Sequence, residues 1–288
     1  MSVDDSTRDS SPAVAAAAVD AVGTVVDAVD RAIDEITGMP TDDGRIEVFA
    51  HGGASLIGER RGPVDAARTV VLVHGIGMGR KVFGDLVQRL EEDTLVVAVD
   101  LPGYGDSPEP QRTPTMERMA DLVAAYLRHL DRGPVVLLGH SMGTQVVTEV
   151  AVRHPAAVSH LVLVAPTVDR RRRHPLTQLS RLARDLWGES PKVLLLGARE
   201  YVRAGPHLRR KMRAMLVHRP EHAFPRVAAP ALVVRGERDL VVPPEWFEEV
   251  VATLPNARSF VVEGHRHETL IRTAAPMAAE LRRWLAAG

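Results

Sequence analysis

Residues 135–153 run from a continuous apolar stretch, Val-Val-Leu-Leu, straight into Gly-His-Ser-Met-Gly and out again into a helical pattern from Thr144 to Arg153. A strand that turns into a helix this sharply leaves no room for bulk, because the turn is strained and a side chain on either flank would meet the helix. Gly139 and Gly143 are the small flanks. The turn lifts the Ser141 hydroxyl clear of the sheet edge and aims the Met142 N–H, at a helix N-terminus, toward an oxyanion formed on an attacked carbonyl. The chain is thereby constrained to a sheet with helices packed on it. Ser141 becomes a candidate nucleophile and Met142 half of an oxyanion hole.

The rest of the chain keeps that alternation. Strands are expected at Arg45 to Ala50, Ala54 to Glu59, Thr69 to His74, Thr94 to Asp100, Val135 to Leu138, Val158 to Val164, Ala231 to Gly236 and Arg258 to Val262. Helical spacing falls between most of them, at Lys81 to Leu90, Met116 to Leu130, Thr144 to Arg153, Pro244 to Leu254 and Thr273 to Ala287. Unbroken Val and Leu runs suit strands buried on both faces, as parallel strands are. The expected architecture is a doubly wound α/β sheet of eight strands, mostly parallel, with helices on both faces. Its first two strands, joined by His51-Gly52-Gly53, would form an antiparallel hairpin at one edge.

Two stretches stand outside this pattern. Residues 167–226 contain short helical patterns, Leu176 to Trp187 and Pro206 to His218, between the sixth and seventh strands. An insertion there would lie over the C-terminal strand ends, where open α/β sheets bind ligands, so it reads as a helical cap. Residues 1–43 form an acidic N-terminal segment. Within it Ser11 and Pro12 signal a helix start and Gly38 with Pro40 a stop, and Val22, Val25, Val26, Val29, Ile33 and Ile36 share one face. That helix suits docking or self-association into a homo-oligomer. The core would then be 44–166 together with 227–288.

Charge is divided the same way. Residues 1–43 hold ten acids against two Arg, whereas residues 167–226 hold thirteen Arg and two Lys against five acids. The run Arg170 to Arg173 reads as a solvated cap entry, an anion-recognising gate or a docking face. Cys is absent, which excludes disulfides and thiolate chemistry. No HExxH pattern is present, and neither a metal nor a cofactor is expected. An aromatic content of 4% leaves little for base stacking, which argues against nucleic acid. The acidic start does not suit a secretory signal, and no apolar run reaches the ~18–20 residues of a membrane span, so a cytoplasmic location is expected.

Five motifs, each after its strand, give the chain from about Arg45 to Leu285 its resemblance to the α/β-hydrolase superfamily. They are HGIGM at 74–78, DLPGYGDS at 100–107, GHSMG at 139–143, GERD at 236–239 and GH at 264–265. The order Ser, Asp, His matches the family's. The resemblance implies a Ser141 nucleophile, a base at His265 directly after the strand and Gly264, and Asp239 fixing the base's tautomer. His267 is the rival base, and Asp169 and Glu237 are the rivals of Asp239. Ile76, following His-Gly in the family's oxyanion loop, would join Met142 in the oxyanion hole, with His74, Gly75, Gly139, His140 and Gly143 in support. Asp100 and residues 103–107 would shape the loop beside the site.

Ser at the nucleophile position sets the chain apart from the family's dehalogenases and epoxide hydrolases, which use Asp there, and from dienelactone hydrolases, which use Cys. The expected activity is hydrolysis of small carboxylic esters through an acyl-enzyme. A C–C bond hydrolase of vinylogous diketone acids, a perhydrolase-like activity and a non-catalytic binding protein are the alternatives.

Overall fold

The computed structural model describes residues 46–174, 207–271 and 273–287. The helix expected within 12–37 and that expected at 176–187 lie outside the described residues. Eight strands form one sheet in the order β1-β2-β4-β3-β5-β6-β7-β8. They are β1 (Ile46–His51), β2 (Ala54–Arg61), β3 (Thr69–Val73), β4 (Leu95–Asp100), β5 (Val135–His140), β6 (Val158–Val164), β7 (Ala231–Gly236) and β8 (Ala257–Val262). The first pair is antiparallel with His51 opposite Ala54, and β2 runs antiparallel to β4. The pairs from β4 through β3, β5, β6 and β7 to β8 are parallel. Gly52 and Gly53 sit at φ 60° and 78°, the left-handed pair that a two-residue hairpin turn demands.

The central strands are apolar on both sides because both sides are covered. Val71 and Val73 of β3 join Val97, Val99, Leu137, Leu161 and Leu163 against helices α2 (Met116–Leu130) and α3 (Met142–Arg153). Val70 and Leu72 face the other way, with Val96, Leu138, Val162 and Val234, against α1 (Gly84–Leu90) and α6 (Ala275–Ala286). The period-two alternation of strand side chains thus divides one apolar run between two cores. Truncating a fully buried residue such as Leu72 to Ala would destabilise the fold by about 2–5 kcal/mol.

Between β6 and β7 the described residues contain α4 (His207–Val217), and α5 (Pro244–Thr253) connects β7 to β8. Departures from the expected spans are small. The helix expected from Lys81 begins as a single 3-10 turn, Arg80–Phe83, before α1. Helix α3 starts at Met142 rather than Thr144, because Ser141 is itself the residue that caps it. No helix among the described residues is long and apolar enough to cross a membrane.

Candidate active site

The sheet brings four loop starts to one edge: those after β3, β5, β7 and β8. At the end of β5, Ser141 holds φ 52° and ψ −119°. A non-glycine residue in such a conformation is strained by about 1–3 kcal/mol and persists only where its surroundings fix it. Here the Ser141 N–H donates to the Val164 carbonyl at 2.9 Å, and the Ser141 carbonyl accepts from Thr144 N–H at 3.0 Å and Thr144 Oγ1 at 2.6 Å. The flanking glycines are sterically required. A Cβ on Gly139 would lie 2.5 Å from the Gly143 carbonyl oxygen, and one on Gly143 would lie 2.3 Å from that of Val73.

The histidine facing Ser141 is His267, not His265. Ser141 Oγ donates to His267 Nε2 at 3.0 Å, and His267 Nδ1 donates to Asp239 Oδ2 at 2.9 Å. Asp239 Oδ1 accepts from the N–H groups of Val241 and Val242 at 2.8 and 2.9 Å, which fixes the carboxylate from behind. All three side chains are buried. This arrangement holds His267 in the tautomer whose Nε2 is free to take a proton from Ser141.

His265, the expected base, does not face Ser141, for a backbone reason. Strand β8 ends at Val262 and turns through Gly264 at φ 70°. His265 is part of that turn: its N–H donates to the Val262 carbonyl at 3.3 Å, and its own carbonyl accepts from Arg238 N–H at 2.8 Å. Its ring bonds the Thr269 carbonyl, at 3.3 Å, and not Ser141 or Asp239. Two residues more are needed before the chain crosses to Ser141. The rival acids are engaged elsewhere, Asp169 with Arg171 N–H at 3.0 Å and Glu237 with Gly264 N–H at 2.8 Å.

The supporting residues surround this line. His74 donates from Nδ1 to the Gly75 carbonyl at 2.7 Å and accepts at Nε2 from Leu101 N–H at 3.1 Å, tying the loop after β3 to the loop after β4. Burial holds its pKa below the ordinary histidine value. His140 donates from Nε2 to the His267 carbonyl at 3.0 Å, and burial first, then the His267 ring, push its pKa down to about 4. Gly75 lies close under Ser141, where a Cβ would come within 3.0 Å of the Ser141 Cβ. Half-buried Ile76 follows it. Met142 opens α3, so its N–H belongs to the first turn, which has no intrahelical acceptor.

Asp100 shapes the neighbouring loop. It accepts from Arg80 N–H at 2.5 Å and Asp106 N–H at 3.0 Å, and the buried Arg80 guanidinium bonds Asp100, Asp106 and Glu59. One residue of that loop was not singled out from sequence: Tyr104, whose hydroxyl lies 3.5 Å from Met142 Sδ and whose ring meets the edge of His74 at 5.2 Å.

The Arg170 to Arg173 run is largely tied to the chain's own acids. Arg170 and Arg171 pair with Glu249 on α5, and Arg173 pairs with Glu221 at 2.5 Å. Glu117, Glu149 and His218 are the described residues whose metal-capable atoms converge, all within 4.8 Å, beside a separate cavity of about 490 Å³. His218 Nε2 and Glu149 are already hydrogen-bonded there, at 2.9 Å.

Comparison with known proteins identifies the family and the fold. The model of an alpha/beta hydrolase family matches residues 70–280. The chain is 29% identical to the pimeloyl-(acyl-carrier protein) methyl ester esterase of Neisseria meningitidis serogroup A, over 78% of either chain. It is 28% identical to the esterase of that name from Xanthomonas oryzae pv. oryzae, over 84% of this chain and 98% of that one. A crystal structure of a putative lipase from Acinetobacter baumannii superposes with a TM-score of 0.73 at 18% identity, covering 92% of this chain and 96% of the other.

Proposed function

The chain belongs to the α/β-hydrolase family, and we propose that within it this protein is a serine esterase whose nucleophile is Ser141, whose base is His267 and whose orienting acid is Asp239. The observation that carries this is the continuous hydrogen-bonded line from Ser141 Oγ through His267 to Asp239, at 3.0 and 2.9 Å. As His267 Nε2 takes the hydroxyl proton, Ser141 Oγ attacks the ester carbonyl and forms a tetrahedral intermediate. The N–H groups of Met142 and Ile76 receive the oxyanion. Collapse expels the alcohol, protonated by His267, and leaves an acyl-Ser141. Water then attacks that ester, gives its proton to His267, and the carboxylic acid departs as Ser141 recovers its proton. Asp239 stabilises the imidazolium in both halves without itself being protonated.

The substrate is an ester of a small alcohol. The esterase relatives support methyl esters of an acyl chain as the first to try, and residues 167–226, read as a cap, would select among acyl groups. Fluorophosphonate labelling followed by peptide mass spectrometry tests the nucleophile, and p-nitrophenyl and methyl esters of graded chain length test the substrate. Label on Ser141, together with a Ser141→Ala turnover lower by ~10⁴-fold, is the expected result. Retention of a tenth of the activity in Ser141→Ala would remove the proposal.

A further inference from the structure

Lys211 is one of three lysines in the chain, and its side chain is only 1% exposed. A buried ammonium is strongly unfavourable unless it is paired and hydrogen-bonded, so its partners indicate what holds it there. Among the described residues these belong to the loop after β4. The Nζ lies 2.7 Å from Glu109 Oε2, donates to the Gly103 carbonyl, and sits 4.3 Å from the centre of the Tyr104 ring. His207, one helical turn earlier on α4, meets the other Glu109 oxygen at 3.4 Å. The loop is cut to fit this ion pair. Gly103 stands at φ 76°, and a Cβ there would fall 2.3 Å from Glu109 Oε2 and 2.9 Å from Lys211 Nζ.

Beyond the ammonium the contacts lead toward the nucleophile. The Tyr104 ring contacts both Lys211 and His74, and its hydroxyl reaches Met142 Sδ. His74 in turn holds the Gly75 carbonyl. One cation on α4 is therefore two contacts away from Met142 and three from the Gly75–Ile76 peptide, the two places proposed to receive the oxyanion.

We infer that Lys211 is a positioning residue: locked to Glu109 and Gly103, it presses Tyr104 against Met142 and His74, so that the docking of α4 sets the geometry of the oxyanion pocket. This rests on the esterase proposal for its catalytic consequence, while the latch itself is a property of the fold. An ion pair that only stabilised the protein would alter melting and leave turnover per folded molecule unchanged. A latch that positions the pocket alters kcat at nearly constant KM, because the affected contacts are made with the transition state.

The test compares Lys211→Met, Glu109→Gln and the double variant with the wild type. Active sites are titrated with a fluorophosphonate, p-nitrophenyl acetate gives kcat and KM, and amide hydrogen exchange is followed across 74–78 and 101–109. In Lys211→Met, kcat per titrated site should fall about tenfold with KM nearly unchanged, short of the ~100-fold that a 1 Å misplacement brings. Exchange in both segments should rise by about tenfold or more. The double variant should lose less than the two single losses combined, since it leaves no buried Lys211 ammonium without its carboxylate. Lower melting with unchanged kcat and unchanged exchange in 101–109 would overturn the inference. If the wild type neither takes the label nor hydrolyses the ester, the esterase proposal falls, and exchange alone decides the latch.

Discussion

The carbonyl oxygen of Val73 occupies the space that a Cβ on Gly143 would need, 2.3 Å away. The end of β3 and the first turn of α3 therefore touch backbone to backbone, and that contact fixes the height of Ser141 above the sheet. Gly143→Ala can be accommodated only if strand and helix separate. The expected result is a loss of about 1–3 kcal/mol or more, as for an overpacked core. Urea denaturation measures it, and slower fluorophosphonate labelling of Ser141 should accompany it. Unchanged stability with full labelling would show that the elbow tolerates the extra methyl.

The two histidines after β8 give a sharper discrimination. His267→Ala should lower ester turnover by on the order of 10⁴, because residues that act as a unit fail together. For His265→Ala the expected loss is small and structural, since that ring contacts the Thr269 carbonyl and not the nucleophile. Steady-state kinetics on the two variants, with circular dichroism as the folding control, settles the assignment. A severe effect at 265 with a mild one at 267 would reverse it.

That pair also shows where sequence reasoning ends. Strand positions, the edge hairpin and the five loop motifs were legible because they depend on local signals: unbroken Val and Leu runs, paired glycines, and small residues at forced turns. The motifs put Ser141 directly after β5 and Asp239 close after β7, where the structure has them. Which of two histidines faces Ser141 depends on how far the chain travels after Gly264 before crossing the sheet edge, and nothing in Gly-His-Arg-His encodes that distance. The contacts of Tyr104, within the loop expected to shape the site, were illegible for a related reason. They join three side chains, with His74 edge-on to Tyr104 and the Lys211 ammonium over the Tyr104 ring, contributed by segments more than a hundred residues apart in part.

Asp239→Asn tests orientation without removing bulk. With its oxygen still accepting from Val241 and Val242, the new amide would present N–H to His267 Nδ1. The ring would then carry its proton on Nε2, facing Ser141, in the tautomer that cannot act as base. A kcat lower by roughly 10⁴ with little change in KM is expected. If turnover is retained, the acid lies elsewhere, and Asp169→Asn becomes the next variant to measure.

Protonation of His140 supplies a pH signature independent of catalysis. In the folded chain its pKa is pushed down to about 4 from an ordinary 6.5, chiefly by burial. Between those values the unfolded ring binds a proton that the folded ring does not. Stability therefore rises with pH across this window and falls as the solution is acidified. Going from pH 7 to pH 5 should remove about 2 kcal/mol through this group alone. His74, shifted in the same direction by burial, adds to the total with the same sign. Urea unfolding of the wild type and of His140→Phe at both pH values isolates the His140 share, because His74 is present in both. The variant should be less stable at pH 7, having lost the bond to the His267 carbonyl, but should lose less on acidification. Equal losses in the two proteins would mean that His140 is not held neutral by the fold.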